Sequence, residues 1–486
     1  MKTFKTLLGM MAVALMAASC SNDVSDVLAP GQAAQVGGIH FTATIAPKSF
    51  DATTRALTED GGVLKSEWKE GETIAMTYKV GGEEQETEAT VTAVDGSTGA
   101  ATIEATFAGG VTDGTEVTLN YHAGYSLTAQ DGTLSDKMDV RRGTGTLKVS
   151  GTEAILAGGA KLSAVYAIVK LTAEDLGGTA LTLNKVEVLD ADNTVVATVS
   201  PSASAFYAVL PAMSGTRWFR ATGAADQPYI AKGTADLVVG KYYQTTMKLA
   251  TLGDLMNSDG SFSATAETGK TPIGVIGYLG SDATVESVED GGGHGLVLAL
   301  KNAASGVAWS TNTTDWQFDE SAKVTDLAAL KRTTDVSGYA NTKTLAEKTD
   351  AETYFPAAYA AWNYGAEAPA GTTGWFLPSA QQWVKLMTGL GGLSESDILW
   401  FDWFDNEHTA ADKWETALKK AGTDNYDSMT SEYLWYWSSS ESSQDHAVLV
   451  DVDATNTGGD YCGFSVYGVY KGHSRSYGRV RSVLAF

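Results

Sequence analysis

The chain reads as a mainly β protein, with two β-sandwich domains followed by an α+β domain. Three observations predict this. Its 486 residues are too many for one core and suit roughly three domains of about 100–200 residues. Gly is abundant (52) and Pro scarce (9), and from residue 39 to 250 short runs alternate apolar and polar residues between Gly-containing turns, the period of half-buried strands. Beyond residue 250 the character changes: ten of the twelve Trp lie there, beside helix-start signals.

The first element is an address. Lys2 and Lys5 precede a twelve-residue apolar run, Leu7 to Ala18, too short to span a bilayer as a helix of ~20 residues. It ends in Ala17-Ala18-Ser19-Cys20, which resembles a bacterial lipobox. The resemblance implies that residues 1–20 hold a lipoprotein signal peptide and that Cys20 is acylated and held in outer-membrane lipid. Each buried methylene contributes ~0.8 kcal/mol, so two or more acyl chains anchor stably. An ordinary secretory signal cut nearby is the alternative. Ser21-Asn22-Asp23 and Asp26 resemble the acidic surface-export signal of Bacteroidales lipoproteins. Residues 21–38, including Leu28 to Gly38 (LAPGQAAQVGG), form a tether.

The next stretch divides into domains at 39–145 and 146–250. In the first, Ile39, Phe41, Ala43 and Ile45 alternate with His40, Thr42 and Thr44, predicting a strand over 39–45. Further strands are expected over Thr73–Val80, Thr87–Val94, Ala101–Phe107 and Glu116–His122, between turns such as Gly81-Gly82, Asp95-Gly96 and Gly109-Gly110. The second set is Ala167–Ala173, Leu181–Leu189, Val195–Val199, Ala205–Leu210 and Tyr242–Leu249.

In the last region, 251–486, Ser379 with Gln382 makes a capping box ahead of Trp383, Leu386 and Met387. Thr409 with Asp412 opens a helix through Trp414 and Leu418, stopped by Gly422. Another helix is expected over Glu352 to Asn363, with Pro356 in its first turn. Strands are expected over Ile273–Tyr278, Leu296–Leu300, Tyr433–Ser438, Ala447–Val452 and Val480–Phe486.

Composition excludes several function classes. The net charge is −24, and removing residues 1–19 with Lys2 and Lys5 takes it to −26, against nucleic-acid binding, which needs clustered cations. Two cysteines, Cys20 and Cys462, allow no disulfide framework and no zinc site of three or four thiolates. None of the six His forms an HExxH or HxH pair, and no GxSxG or phosphate loop is present, so no catalytic residue, metal or cofactor is expected. Asp402, Asp405, Asn406 and Glu407 cluster beside Trp400 and Trp403. A sugar ring can stack on such indoles while carboxylates bind its hydroxyls, and the same acids can serve glycoside hydrolysis at a suitable separation. A solvated loop beside core Trp is the plainer reading. Trp435 and Trp437 share one strand face and read as core. Lys471, His473, Arg475, Arg479 and Arg481 read as ion-pairing groups on the last strands, with an anionic-glycan site as the alternative.

Two resemblances add to this. Thr53-Thr54-Arg55-Ala56, ahead of Trp68 and Gly71-Glu72-Thr73-Ile74, resembles the start of the fimbrillin (type V pilin) family. Leu162-Ser163-Ala164-Val165-Tyr166, Val209-Leu210-Pro211-Ala212 and Gly240-Lys241-Tyr242-Tyr243 resemble its second domain. The resemblance spans about residues 20–250 and implies two Greek-key, transthyretin-like sandwiches. It also implies cleavage of the Arg55-Ala56 bond, which would release residues 20–55 with the 39–45 strand and open a groove for another subunit's strand. The plainer alternative is that Arg55 is an exposed loop residue and the strand stays. Gly374-Trp375-Phe376-Leu377-Pro378-Ser379, Tyr436-Trp437-Ser438-Ser439-Ser440 and Arg479-Val480-Arg481-Ser482-Val483 resemble a C-type-lectin-like domain related to formylglycine-generating enzymes. The sugar-binding Glu-Pro-Asn and Gln-Pro-Asp motifs, the usual disulfides and the paired active-site cysteines of that group are missing from this region.

Together these imply a non-enzymatic fimbrial subunit of the outer membrane, cell surface and fimbrium. A globular C-terminal domain leaves no strand to donate, which fits a pilus-tip adhesin binding a glycan or a host or bacterial surface protein. The alternatives are a lipid-anchored binding lipoprotein that never polymerises and a glycan-acting enzyme.

Overall fold

The computed structural model describes residues 38–48, 58–60, 63–282, 284–286, 292–311, 317, 335–396, 398–400, 409–429, 434–453, 463–473 and 478–486. It is mainly β, as the alternation predicts. The first unit holds β1 (Ile39–Ile45), a hairpin of β2 (Thr58–Asp60) and β3 (Val63–Lys65), β4 (Thr73–Val80), β5 (Glu83–Val94), β6 (Ala101–Phe107), β7 (Glu116–Tyr121), β8 (Arg141–Ser150), β9 (Glu153–Leu156) and β10 (Ser163–Ala164). All but the hairpin form one sheet in the order β10-β8-β7-β4-β5-β6-β1-β9. β8 also pairs with β9, so the sheet closes on itself. Within it β7-β4-β5-β6 is a Greek key: three meander strands with β7 returned beside β4.

The period-two strands bury one face, as in β1, where Ile39, Phe41, Ala43 and Ile45 are buried and His40 and Thr44 exposed. Phe107 joins Phe41 and Tyr78 edge-to-face, at 5.2 and 4.8 Å between ring centres. The differences from expectation follow from lost periodicity. β5 begins at Glu83 rather than Thr87, because pairing Val80 with Glu83 across Gly81-Gly82 (φ 59° and 92°) extends a stretch polar on both faces. β7 stops at Tyr121, before His122 at φ 52°. β8 runs across the expected boundary at 145/146, and β10 carries the first sheet to Ala164. The sequence RRGTGTLKVS has no apolar residue in its first half to announce a strand.

The second unit is β11 (Ala167–Asp175), β12 (Lys185–Leu189), β13 (Val195–Val199), β14 (Ala205–Leu210), β15 (Thr216–Thr222), β16 (Pro228–Thr234) and β17 (Tyr242–Thr251), in the order β13-β12-β15-β16-β17-β11-β14. β17 pairs parallel with β11 as far as Leu249, then with β16 at Ala250 and Thr251. β12 starts at Lys185, not Leu181. β15 and β16 carry no clear alternation, and neither was expected. Gln130, from the first unit, bonds both the N–H and the C=O of Val209 and so ties the two units together.

The last region holds β18 (Leu255–Asn257), β19 (Phe262–Ser263), β20 (Pro272–Leu279), β21 (Gly295–Ala299), β22 (Ala304–Ser305), α1 (Gly338–Ala346), α2 (Ala351–Tyr354), α3 (Pro356–Trp362), α4 (Ala380–Gly389), β23 (Leu399–Trp400), α5 (Thr409–Lys419), β24 (Leu434–Glu441), β25 (His446–Asp453), β26 (Gly463–Tyr470), β27 (Gly478–Val480) and β28 (Val483–Ala485). Two sheets form, β19-β18-β20-β21-β28 and β22-β27-β24-β25-β26-β23. Trp383, Leu386 and Met387 of α4 and Trp414 and Leu418 of α5 fill the core that both sheets share. The capping box at Ser379 is present. The helix expected over 352–363 is two, α2 and α3, broken at Phe355 because Pro356 takes the first position of a new helix rather than the first turn of a longer one. The strand expected over 480–486 is also two, interrupted by the fully buried Arg481 and Ser482. Phe486 is nearly fully buried, and its C=O accepts from the His294 N–H at 2.7 Å.

The second and last units share an apolar cluster that includes Ile230, Ala250, Met256, Ile273 and Phe486. The Trp218 ring of β15 lies against that of His294, tilted by 35° with ring centres 4.1 Å apart. Burial, with Arg220 and Lys232 nearby, pulls the imidazole pKa down to about 3. Below pH ~6.5 the unfolded chain therefore binds a proton that the native chain refuses. Stability should fall as pH drops through this window, by about 2 kcal/mol at pH 5 from this residue alone. His294→Phe should shrink the melting-temperature difference between pH 7 and pH 5. Ser379→Ala should cost about 1–2 kcal/mol in urea unfolding, since its hydroxyl caps α4 and also donates to the Asp335 C=O.

Candidate functional site

The most unusual local arrangement surrounds β1. One flank runs antiparallel to β6 over all seven residues, Ile39 opposite Phe107 to Ile45 opposite Ala101. The other runs parallel to β9, His40 opposite Glu153 to Thr42 opposite Ile155. That second ladder continues past β9, where Ala46 N–H donates to Ala160 C=O at 2.8 Å and Ala160 N–H donates to Thr44 C=O at 3.3 Å. β1 is therefore the stave that closes the sheet, and among the described residues the next strand of that sheet is β4. Ile39, Phe41 and Ile45 are essentially inaccessible to solvent and contribute roughly 6 kcal/mol by burial. The polar face, His40, Thr42 and Thr44, looks outward, with His40 Nδ1 3.1 Å from Glu153 and Nε2 3.9 Å from Glu104.

Just past the strand lies a buried charge box. The Lys48 side chain is 2% exposed, and its ammonium donates to both Glu72 carboxylate oxygens at 3.1 and 2.9 Å and to Tyr121 Oη at 2.9 Å. It stands 4.2 Å from the centre of the Trp68 ring and 4.0 Å from that of Tyr121, cation–π geometry. Asp139 is 4.0 Å from Lys48 and accepts from Arg141 Nε at 2.7 Å and Ser66 Oγ at 2.5 Å. Two cations thus face two carboxylates. Burial pushes the Lys48 pKa down, while Asp139 and Glu72 hold it up. Burial also raises Tyr121, helped by its hydrogen bond to Glu72. Trp68 Nε1 donates to Ala46 C=O at 2.9 Å, clasping the chain between strand and box.

Of the residues singled out from sequence, the 39–45 strand lies where expected. Cys20, Arg55, Ala56, Asp402, Trp403, Asp405 and Asn406 fall outside the described residues. Trp400 is placed by its backbone alone, in β23 opposite Val466 of β26. Trp437 is buried, and Trp435 packs partly buried against the same cluster. Lys471 pairs with Glu441, both fully buried, as the ion-pair reading of the basic run expects. Arg481 instead donates to Asn302 Oδ1 and Asp427 C=O, and Arg475 lies outside the described residues. An open cavity of about 600 Å³ is lined by Lys270, Asn302, Asn363, Tyr364 and Asn425. Sequence reading passed over the Lys48 box because its members are spread from residue 48 to residue 141. The sole local trace is a lysine three residues past an alternating run.

No family model matches the chain, and no curated protein matches it. Among solved structures, it is similar to a fimbrial protein from Bacteroides ovatus, at 17% identity over 93% of this chain and 99% of that one, with a TM-score of 0.34. It is also similar to a putative cell adhesion protein from Bacteroides eggerthii, at 15% identity over 44% of this chain and 87% of that one (TM-score 0.25). A fimbrial assembly protein from Parabacteroides distasonis matches at 10% identity over 43% and 90%, with a TM-score of 0.26. At TM-scores below 0.5 these likenesses assign neither fold nor function, which rest on the chain's own residues.

If β1 closes the sheet, Phe41→Ala should cost about 3–5 kcal/mol in chemical unfolding, while Thr42→Ala on the outer face should stay within about 0.5 kcal/mol.

Proposed function

We propose that the chain is a surface fimbrial subunit whose first unit exchanges β1 for a strand of another subunit. The observation that carries this reading is the position of β1: seven residues near the start of the described chain, paired on both flanks, whose side chains fill the core. Loss of that segment would leave two unpaired strand edges and an apolar slot, the surface that β-augmentation fills. In this reading the chain is exported as a lipoprotein acylated at Cys20, displayed outside the outer membrane, and cut between Arg55 and Ala56. Residues 20–55 then leave with β1 and the lipid.

The tip position in this reading is supported by the pairing of the last described strands. β27 and β28 are built into two sheets, and Phe486 is buried, so these strands are not free to complete a neighbour. The 251–486 region, read as C-type-lectin-like, would then serve recognition of a glycan or a surface protein, with Trp400, Asp402, Trp403, Asp405 and Asn406 as the binding residues. No catalysis is ascribed to it.

The mature N-terminus tests the reading. Mass spectrometry of protein recovered from assembled surface fibres should find Ala56. Acylated Cys20 there would instead favour a lipid-anchored binding protein that keeps β1. Trimmed chain alone should stay monomeric by light scattering, and long homopolymers from it would overturn the tip assignment. The full trimmed chain should bind a subset of a glycan or surface-protein array, and Trp403→Ala should lower that binding at least tenfold.

A further inference from the structure

We infer that the box occupied by Lys48 is a second recognition site for the incoming strand, one that takes a Lys or Arg side chain and fixes the strand's register. The inference rests on the strand-exchange reading above. Lys48 lies on the same side of the 55–56 bond as β1, so whatever removes β1 in that way removes Lys48 too. What stays behind is the partly buried Glu72 and the buried Asp139 against Arg141, an excess of negative charge.

The groups that remain keep partners of their own. Glu72 accepts from Tyr121 Oη at 2.8 Å and from the Lys69 N–H at 3.0 Å. Asp139 is held by Ser66 and Arg141. The nearby Lys69 ammonium is engaged with Asp136 at 2.9 Å on the surface. Two aromatic faces and a carboxylate pair thus keep the shape of a cation site. A strand that fills the apolar slot without a cation would leave that charge buried and unpaired, the costly case for ionic groups.

The box also does what the apolar slot cannot. A one-residue slip of the incoming strand turns its apolar face outward and is rejected by the core. A two-residue slip keeps the faces correct, so only a feature at one end of the strand can reject it. The cation supplies that feature and sets the strand's direction. The expected partner therefore carries apolar residues at four alternate positions and a Lys or Arg three residues after the last, as in Ile39, Phe41, Ala43, Ile45 and Lys48. Elsewhere in this sequence, no Lys or Arg is preceded by apolar residues at three, five, seven and nine positions. The occupant is thus a strand of a different polypeptide, not a second trimmed copy of this chain.

The test uses the full chain with a specific protease site in place of residues 51–54, cut after folding. Labelled peptides of residues 38–50 are then offered, and displacement of the resident segment and equilibrium binding are measured. The native-sequence and Lys48→Arg peptides should bind, the Lys48→Met peptide should bind ~100-fold more weakly, and the Phe41→Asp peptide should not bind. Glu72→Gln in the receiving chain should narrow the Lys-to-Met gap at least tenfold, a coupling that mere loss of packing would not produce. Equal binding of the Lys and Met peptides would overturn the cation site while leaving strand exchange standing. Failure of even the native-sequence peptide to exchange would overturn both.

Discussion

The first unit depends on a closed ladder. A β-sheet buried on its inner face has to pair the backbone groups at its margins, and this one does so by returning β8 to β9 and laying β1 between β9 and β6. β1 is the first described strand of the sheet, and it lies outside the Greek key of β4 to β7. Its inner face supplies Ile39, Phe41 and Ile45, which are inaccessible to solvent, so closure of the ladder and completion of the core are one event.

The charge box adds a different kind of constraint. Apolar contacts reward depth of burial but discriminate poorly between registers separated by one strand period. Buried ions contribute little net stability and impose a strict demand for a partner. Lys48 meets Glu72, Asp139 and two aromatic faces from three separate stretches of chain, so the strand and its ionic terminus are read together. One short segment thus supplies both apolar core side chains and a buried cation.

The far end of the chain is built on the opposite principle. β28 pairs with β21, Phe486 is buried in the cluster shared with the second unit, and Arg481 is fully enclosed, donating to Asn302 and to the Asp427 carbonyl. Withdrawing these residues would open two sheets and the joint between units.

Much of this was legible in the residues themselves, for a simple reason. Period two in Ile39–Ile45 and Thr73–Val80 reports a sheet with one wet face, and a capping box at Ser379 reports a helix start, because both are set by neighbours within a few positions. β8, β15 and β16 stayed hidden, since their pairing partners rather than their own alternation make them strands. The break at Phe355 shows a local rule applied in the wrong place: Pro356 begins a helix instead of surviving inside one. That residues 39–45 form a half-buried strand is written in their own alternation. That this strand closes a ring, and that a lysine beyond it meets two carboxylates from distant stretches of chain, emerges only on folding, because pairing and charge compensation are long-range and leave no local trace.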